Sequence, residues 1–336
     1  MRVAYTDPSW ALDENGDVDR SAADIEASVY GDDIAVELGV RADGRFLTEG
    51  RALADYVRGA DAVVVSRCVV TPELLEAVGP ACRVVARQGV GLDNLNADLL
   101  RDSGIFGFHV PDYCGDEVST HTLALLLALE RRVCVQDVLV KSGRWRIHGG
   151  GMPRRTCTLT AGIVGFGRIG RATSRKLQPI YREVIACDPN VSADLMASYG
   201  VGKCKLPELL ARADAICVHA ELLSETVDLV DAEALRHVRH GALLVNAARG
   251  RLVDPVAVRA ALEDGALGGF ASDVFSPEDP NDSEETRALL QRDDVVVSSH
   301  RGFLSVQSEI SLRRRVAEGV AHVLRSGEPP PLGRVA

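Results

Sequence analysis

Residues 158–188 read TLTAGIVGFGRIGRATSRKLQPIYREVIACD. An apolar run through Ile163 and Val164 reaches Gly165-Phe166-Gly167-Arg168-Ile169-Gly170, and a helical pattern follows. A second apolar run, Val184-Ile185-Ala186, ends on Asp188. Strand, glycine turn, helix, strand and acid in that order form the pattern of a dinucleotide-binding unit. Gly165 permits a tight turn, Gly167 lets the backbone approach a pyrophosphate, and Gly170 lets the helix pack against the strand. The pyrophosphate is expected on the helix N-terminus, where free N–H groups and the helix dipole favour an anion. Asp188 lies 18 residues past Gly170. Its carboxylate would accept from both ribose hydroxyls and repel a 2′-phosphate, so NAD is expected rather than NADP. Gly is common, with 31 among 336 residues, so the weight rests on the flanking strand, helix and acid.

The rest of the chain agrees. Strand-like and helix-like segments alternate nearly throughout, as in α/β folds. Hydrophobic residues make up 46% and aromatics only 4%, which implies aliphatic cores of the parallel-sheet kind. A length of 336 residues suits two domains. The spacing predicts strands at 3–6, 62–66, 83–87, 215–219, 242–246, 269–274 and 295–299. Helices are predicted at 71–78, 95–102, 207–212, 232–238, 254–264 and 306–325, with the tail GEPPPLGRVA as the stop after the last. A single long helix is predicted over about 116–142, with an apolar face broad enough for an interface between domains or subunits.

Composition also excludes classes of function. A formal net charge of −10 and no basic run longer than Arg313-Arg314-Arg315 argue against nucleic acid or an anionic membrane as partner. That arginine run reads as a solvated helix face. No apolar stretch reaches membrane-spanning length. The start, MRVAYTDPSW, reads as a first strand rather than a signal peptide. Eight scattered cysteines without a C-x-x-C pair read as buried reduced thiols in a cytoplasmic chain. Zinc spacing is absent, so no metal site is expected.

Three polar residues end successive predicted strands: Arg249 after ALLVNAA, Glu278 after FASDVF and His300 after VVVSS. Ligands of open parallel sheets bind beyond the strand C-terminal ends. An arginine grips a carboxylate through two parallel hydrogen bonds. A histidine suits proton transfer near neutral pH, and a carboxylate beside it orients the ring. Taken singly, each has an ordinary explanation as a surface charge, a loop acid or a capping histidine. Behind a dinucleotide turn, the three together point to a hydride-transfer site.

These motifs carry a resemblance. ARQGVGLDN (86–94), VPDYCGDEVSTHTLALLLALERRV (110–133), GIVGFGRIGR, VNAARGRLVD and SDVFSPE, in that order, resemble the D-2-hydroxyacid dehydrogenase family over almost the whole chain. Its relatives include phosphoglycerate, glycerate, formate and phosphite dehydrogenases and the C-terminal-binding-protein corepressors. The resemblance implies two doubly wound parallel-sheet domains of Rossmann type. A discontinuous flavodoxin-like substrate domain, 1–102 with 302–336, would flank an NAD-binding domain, 103–301. It implies His300 as the acid or base at the 2-hydroxyl, Glu278 as its partner and Arg249 as the anchor of the substrate carboxylate. Amides near Val90 and Gly91 would grip the other side of that carboxylate. Asp273 would touch the nicotinamide carboxamide, with His219, Asn246 and Ala247 lining the cofactor site. A small anionic substrate and a homodimer are the implied partners.

The chain departs from the family around the histidine. Ser299 stands where most members have Pro, and Arg301-Gly302-Phe303-Leu304 replaces small residues. Asp279 interrupts the usual Glu-Pro, and the loop after residue 218 reads His219-Ala220-Glu221-Leu222-Leu223 instead of His-x-Pro-Leu-Thr. Arg301, or Arg67 after the 62–66 strand, would receive a second anionic group of the substrate; otherwise Arg301 faces solvent or pairs with Glu278 or Asp279. Two other readings stay open from the sequence: a dehydrogenase of a phosphonate or phosphorus-centred substrate, and a non-enzymatic NAD-sensing module of the corepressor kind.

Overall fold

The computed structural model describes residues 1–336. The chain divides into two units, Met1–Tyr113 with Ser305–Ala336, and Cys114–Leu304. In the first unit the strands are β1 (Arg2–Tyr5), β2 (Ala35–Leu38), the short antiparallel pair β3 (Arg41–Ala42) and β4 (Arg45–Phe46), β5 (Ala62–Val65), β6 (Val84–Arg87) and β7 (Phe106–His109). β1, β2, β5, β6 and β7 form one parallel sheet in the order β2-β1-β5-β6-β7. This is the flavodoxin-like order.

Both faces of this sheet are covered, which is why its strands are nearly continuous aliphatic runs. Side chains alternate across a strand. Val3, Tyr5, Ala62 and Val64 pack with Leu312, Val316 and Val320 of the helix Val306–Ser326. Ala4, Val63 and Val65 pack on the other face with Leu53, Leu74 and Leu100. β7 falls in what the expected boundary at 102/103 assigns to the second part, yet it is the fifth strand of the first sheet, with Phe106 opposite Val84. The C-terminal tail does more than stop its helix. His109 N donates to Gly333 O at 3.0 Å and Val335 N to Gly107 O at 2.8 Å, so the tail covers the otherwise open β7 edge.

Arg313 corrects the reading of the arginine run as a solvated face. It is buried, donates to the buried Glu26 carboxylate at 2.5 and 3.0 Å, and lies 3.8 Å from the Trp10 ring centroid. Arg314 is the exposed member of the run, and Arg315 is half-buried and paired with Asp112 at 2.7 Å.

In the second unit the strands are β8 (Thr160–Val164), β9 (Glu183–Cys187), β10 (Gly202–Lys203), β11 (Ala215–Val218), β12 (Ala242–Asn246), β13 (Leu267–Ser272) and β14 (Val295–Val297). All are parallel, in the order β10-β9-β8-β11-β12-β13-β14. This is the dinucleotide-fold order extended by one strand, and its direction of winding reverses between β8 and β11. The long helix expected over 116–142 is two helices, Gly115–Glu130 and Val133–Lys141. Arg132 between them holds φ +55°, and a left-handed residue ends an α-helix. The first helix buries Leu125, Leu126 and Leu129 against Ile163, Ala215 and Leu243. The second buries no residue. The cysteines are also less uniform than expected: all eight are free, but Cys134 and Cys157 are exposed and Cys187 is half-buried.

Candidate active site

The glycine turn sits at the reversal of winding in the second unit. Gly165 has φ +92°, and a Cβ there would fall 2.5 Å from Ala220 N, so the turn passes directly over the end of β11. A Cβ on Gly170 would lie 2.2 Å from Gly165 O, which fixes the close approach of helix to turn. Gly167 is different. It opens the helix Arg168–Leu177 without any side-chain cap, and a Cβ there would meet nothing within 4 Å. The protein's own packing does not require that glycine, whereas a close anion on the first-turn amides would. Arg168 is exposed and Ile169 half-buried at this end.

Asp188, half-buried after β9, accepts from Phe166 N at 2.8 Å and Asn190 N at 2.9 Å, which ties the acid to the turn. Each carboxylate oxygen keeps a second lone pair for a hydroxyl donor. His219, after β11, meets Thr173 Oγ1 through Nε2 at 3.0 Å, while its buried Nδ1 has no partner. Burial pushes the His219 imidazole down to about 4. Uncapped amides, an open glycine, a strand-end carboxylate and an orphaned ring nitrogen fit a dinucleotide at this turn.

The polar residues gather at the ends of β12, β13 and β14. Asn246 is buried, and its side chain clamps the next loop: Nδ2 donates to Arg249 O at 2.9 Å and Oδ1 accepts from Ala248 N at 3.1 Å. Ala247 is half-buried within that loop. Arg249 donates through Nη1 to Ala248 O at 2.8 Å. Gly250 follows, and a Cβ there would sit 2.1 Å from the Phe275 carbonyl carbon. That contact presses the Arg249 loop against the segment leading to Glu278. His300 Nδ1 meets Glu278 Oε1 at 2.5 Å. An ionised carboxylate only accepts, so Nδ1 carries the hydrogen and Nε2 is the working nitrogen.

Asp273 is buried beside this pair. Its carboxylate accepts from Ser298 Oγ at 2.5 Å, Arg301 N at 3.0 Å and Gly302 N at 2.7 Å, and its carbonyl accepts from His300 N at 2.7 Å. Burial works against its charge, but hydrogen bonds from His121, Ser298, Gly302 and Arg301 outweigh it and hold the carboxyl below its ordinary value. Its oxygens therefore carry the His300 loop. Arg301 is exposed and makes no side-chain hydrogen bond or ion pair, so it faces solvent and pairs with neither Glu278 nor Asp279.

In the first unit, Arg67 follows β5. Its N–H donates to Asp7 Oδ2 at 2.6 Å and Nη2 donates to Ser9 Oγ at 2.9 Å, with the side chain 48% exposed. Asp7 also takes Ser66 N at 2.9 Å and is itself buried. Val90 and Gly91 lie in a half-buried loop, where Val90 O is 2.7 Å from His109 Nδ1. Sequence reading missed Asp7 and His121. Asp7 lies in an ordinary loop sequence, TDPSW. His121 was visible as a lone histidine in an apolar helix, but its partner is 177 residues away.

A family model described as "D-isomer specific 2-hydroxyacid dehydrogenase, NAD binding domain" matches residues 123–302. D-3-phosphoglycerate dehydrogenase of Mycobacterium leprae is 35% identical over 272 residues, 81% of this chain and 50% of that protein. The chain thus spans about half the length of that relative. Glyoxylate reductase of Korarchaeum cryptofilum is 31% identical over 290 residues, 84% of each chain. The crystal structure of D-lactate dehydrogenase from Aquifex aeolicus, complexed with NAD and lactic acid, superposes with a TM-score of 0.83 at 22% identity, covering 97% of this chain and 96% of that one. It shares the fold.

Proposed function

The chain belongs to the D-isomer-specific 2-hydroxyacid dehydrogenase family, and we propose that it is an NAD-dependent oxidoreductase interconverting a D-2-hydroxy acid and its 2-keto acid. The observation that carries the reading is the 2.5 Å contact between His300 Nδ1 and Glu278 Oε1, in the same unit as the uncapped glycine turn.

Bound NAD supplies the hydride acceptor at nicotinamide C4. The first-turn amides of the helix Arg168–Leu177 would hold its pyrophosphate, and Asp188 its ribose hydroxyls. Arg249 would grip the substrate carboxylate through two parallel hydrogen bonds, fixing which face of C2 is presented. His300 Nε2 takes the 2-hydroxyl proton during oxidation and returns it to the carbonyl oxygen during reduction. Glu278 holds the tautomer and balances the charge that forms on the ring.

A second anionic group on the substrate is part of the proposal. Arg67 supports it, because Asp7 and Ser9 hold that guanidinium in place while leaving it half exposed. Arg301 supports it through an unpaired charge next to His300. The assembly proposed is a homodimer, supported by the exposed apolar run of Val133, Val138, Val140, Trp145, Ile147 and Met152. No helix is long and apolar enough to cross a membrane, and eight free thiols support a reducing, cytoplasmic setting.

The test is turnover of NADH with a panel of 2-keto acids, with and without a second acidic group. Wild type is expected to turn over, while H300N should lose about 10²- to 10⁴-fold in kcat, the usual worth of a general acid, yet still bind NADH. NADH binding without any turnover would instead favour the non-enzymatic sensing reading.

A further inference from the structure

We propose that His121 is a positioning residue for His300, acting through Ser298 and Asp273. His121 lies on the helix Gly115–Glu130, and its Nε2 is 2.8 Å from Ser298 Oγ and 3.3 Å from Asp273 Oδ1. The Ser298 hydroxyl has one hydrogen, and it goes to Asp273 Oδ1 at 2.5 Å. Ser298 Oγ therefore accepts from His121, and the hydrogen of the imidazole is on Nε2.

The group at the end of this chain needs holding. His300 has φ +53°, a left-handed conformation that costs a non-glycine residue about 1 kcal/mol or more and persists only where its surroundings over-determine it. Asp273 provides that constraint by accepting from three consecutive amides: its carbonyl takes His300 N, and its carboxylate takes Arg301 N and Gly302 N. A Cβ on Gly302 would lie 2.8 Å from Asp273 Oδ2 and 3.4 Å from His121 Cδ2, so glycine is what lets the loop close on this pair. Ser299 lies inside this loop, and the side-chain network of His121, Ser298 and Asp273 supplies its order. Removing the His121 donor takes one hydrogen bond from Ser298 and one charge-favouring contact from Asp273. The loop then samples other conformers, and Nε2 of His300 spends less time in line with C2.

The catalytic consequence rests on the role proposed above for His300; the loop geometry does not. The experiment therefore has two arms on the intact protein: steady-state kinetics, and amide hydrogen exchange of the peptide covering 298–304. H121L keeps bulk and removes the donor. H121Q restores an N–H at similar reach. H121L is expected to lose about 10- to 100-fold in kcat, the scale of a misplacement near 1 Å, with the KM for NADH within twofold of wild type. Exchange at 298–304 should accelerate about tenfold, and H121Q should recover most of both. If H121L does not fold, H121N, whose amide is too short to reach Ser298, takes its place. Unchanged exchange and unchanged kcat in the donorless variant, or equal losses in H121Q, would overturn the inference. If wild type turns over no 2-keto acid, the functional reading fails by itself and the exchange arm still decides this one.

Discussion

His300 and Glu278 were legible because strand-end polar residues behind a glycine turn are few, and sequence order alone places them at one sheet edge. Their supports were not legible. Asp7 holds Arg67 from 60 residues away, and His121 reaches Ser298 across 177 residues; side-chain bonds of that span leave no periodic trace. His219 offers a test at this scale. Its folded value is lowered to about 4 from the ordinary 6.5, so between those values the unfolded chain binds the proton and the folded chain does not. Stability from this group is complete above about pH 6.5 and falls as pH drops toward 4, by at most about 3 kcal/mol. Urea unfolding at pH 8 and pH 5 should show a larger loss for wild type than for H219Q. Parallel losses in the two proteins would contradict the burial of that ring.

Among the elements, strand positions were readable because aliphatic runs bounded by turn residues leave few alternatives, and β12 (Ala242–Asn246) lies where the run ALLVN places it. The break at Arg132 was not readable, since no Gly or Pro marks it and the left-handed residue is an arginine. The edge-covering role of the tail was hidden for a similar reason: pairing with β7 is set by tertiary approach. Gly250 is the element-scale test. Its missing side chain lets the Arg249 loop touch the Phe275–Ser276 backbone, and backbone cannot yield as a flexible side chain does. G250A should destabilise the protein by about 1–3 kcal/mol, the range for overpacking, and lower kcat. A fully active G250A of wild-type stability, measured by urea unfolding and turnover, would show that the two loops are independent.

For the whole molecule, sequence patterns announced two α/β parts, but the return of the C-terminal helix Val306–Ser326 to the first sheet was available only through the family resemblance. No local pattern says that residue 316 packs with residue 64. The partnership of Arg313 with Glu26 was invisible for the same reason, and a basic run on an amphipathic helix reads as surface by default. Trp145 and Ile147, 81% and 84% exposed, are the surface test. In the proposed homodimer, light scattering gives twice the 36.0 kDa chain mass for wild type and the single chain mass for a W145S/I147S double variant. A monomeric wild type would remove the dimer from the account.

Hydride transfer between NAD and C2 has a direct isotopic readout. With NADH deuterated at the transferred C4 position and a turned-over 2-keto acid, the product is predicted to carry one deuterium at C2 and to have the D configuration by chiral chromatography. An unlabelled product, or one of L configuration, would contradict the account.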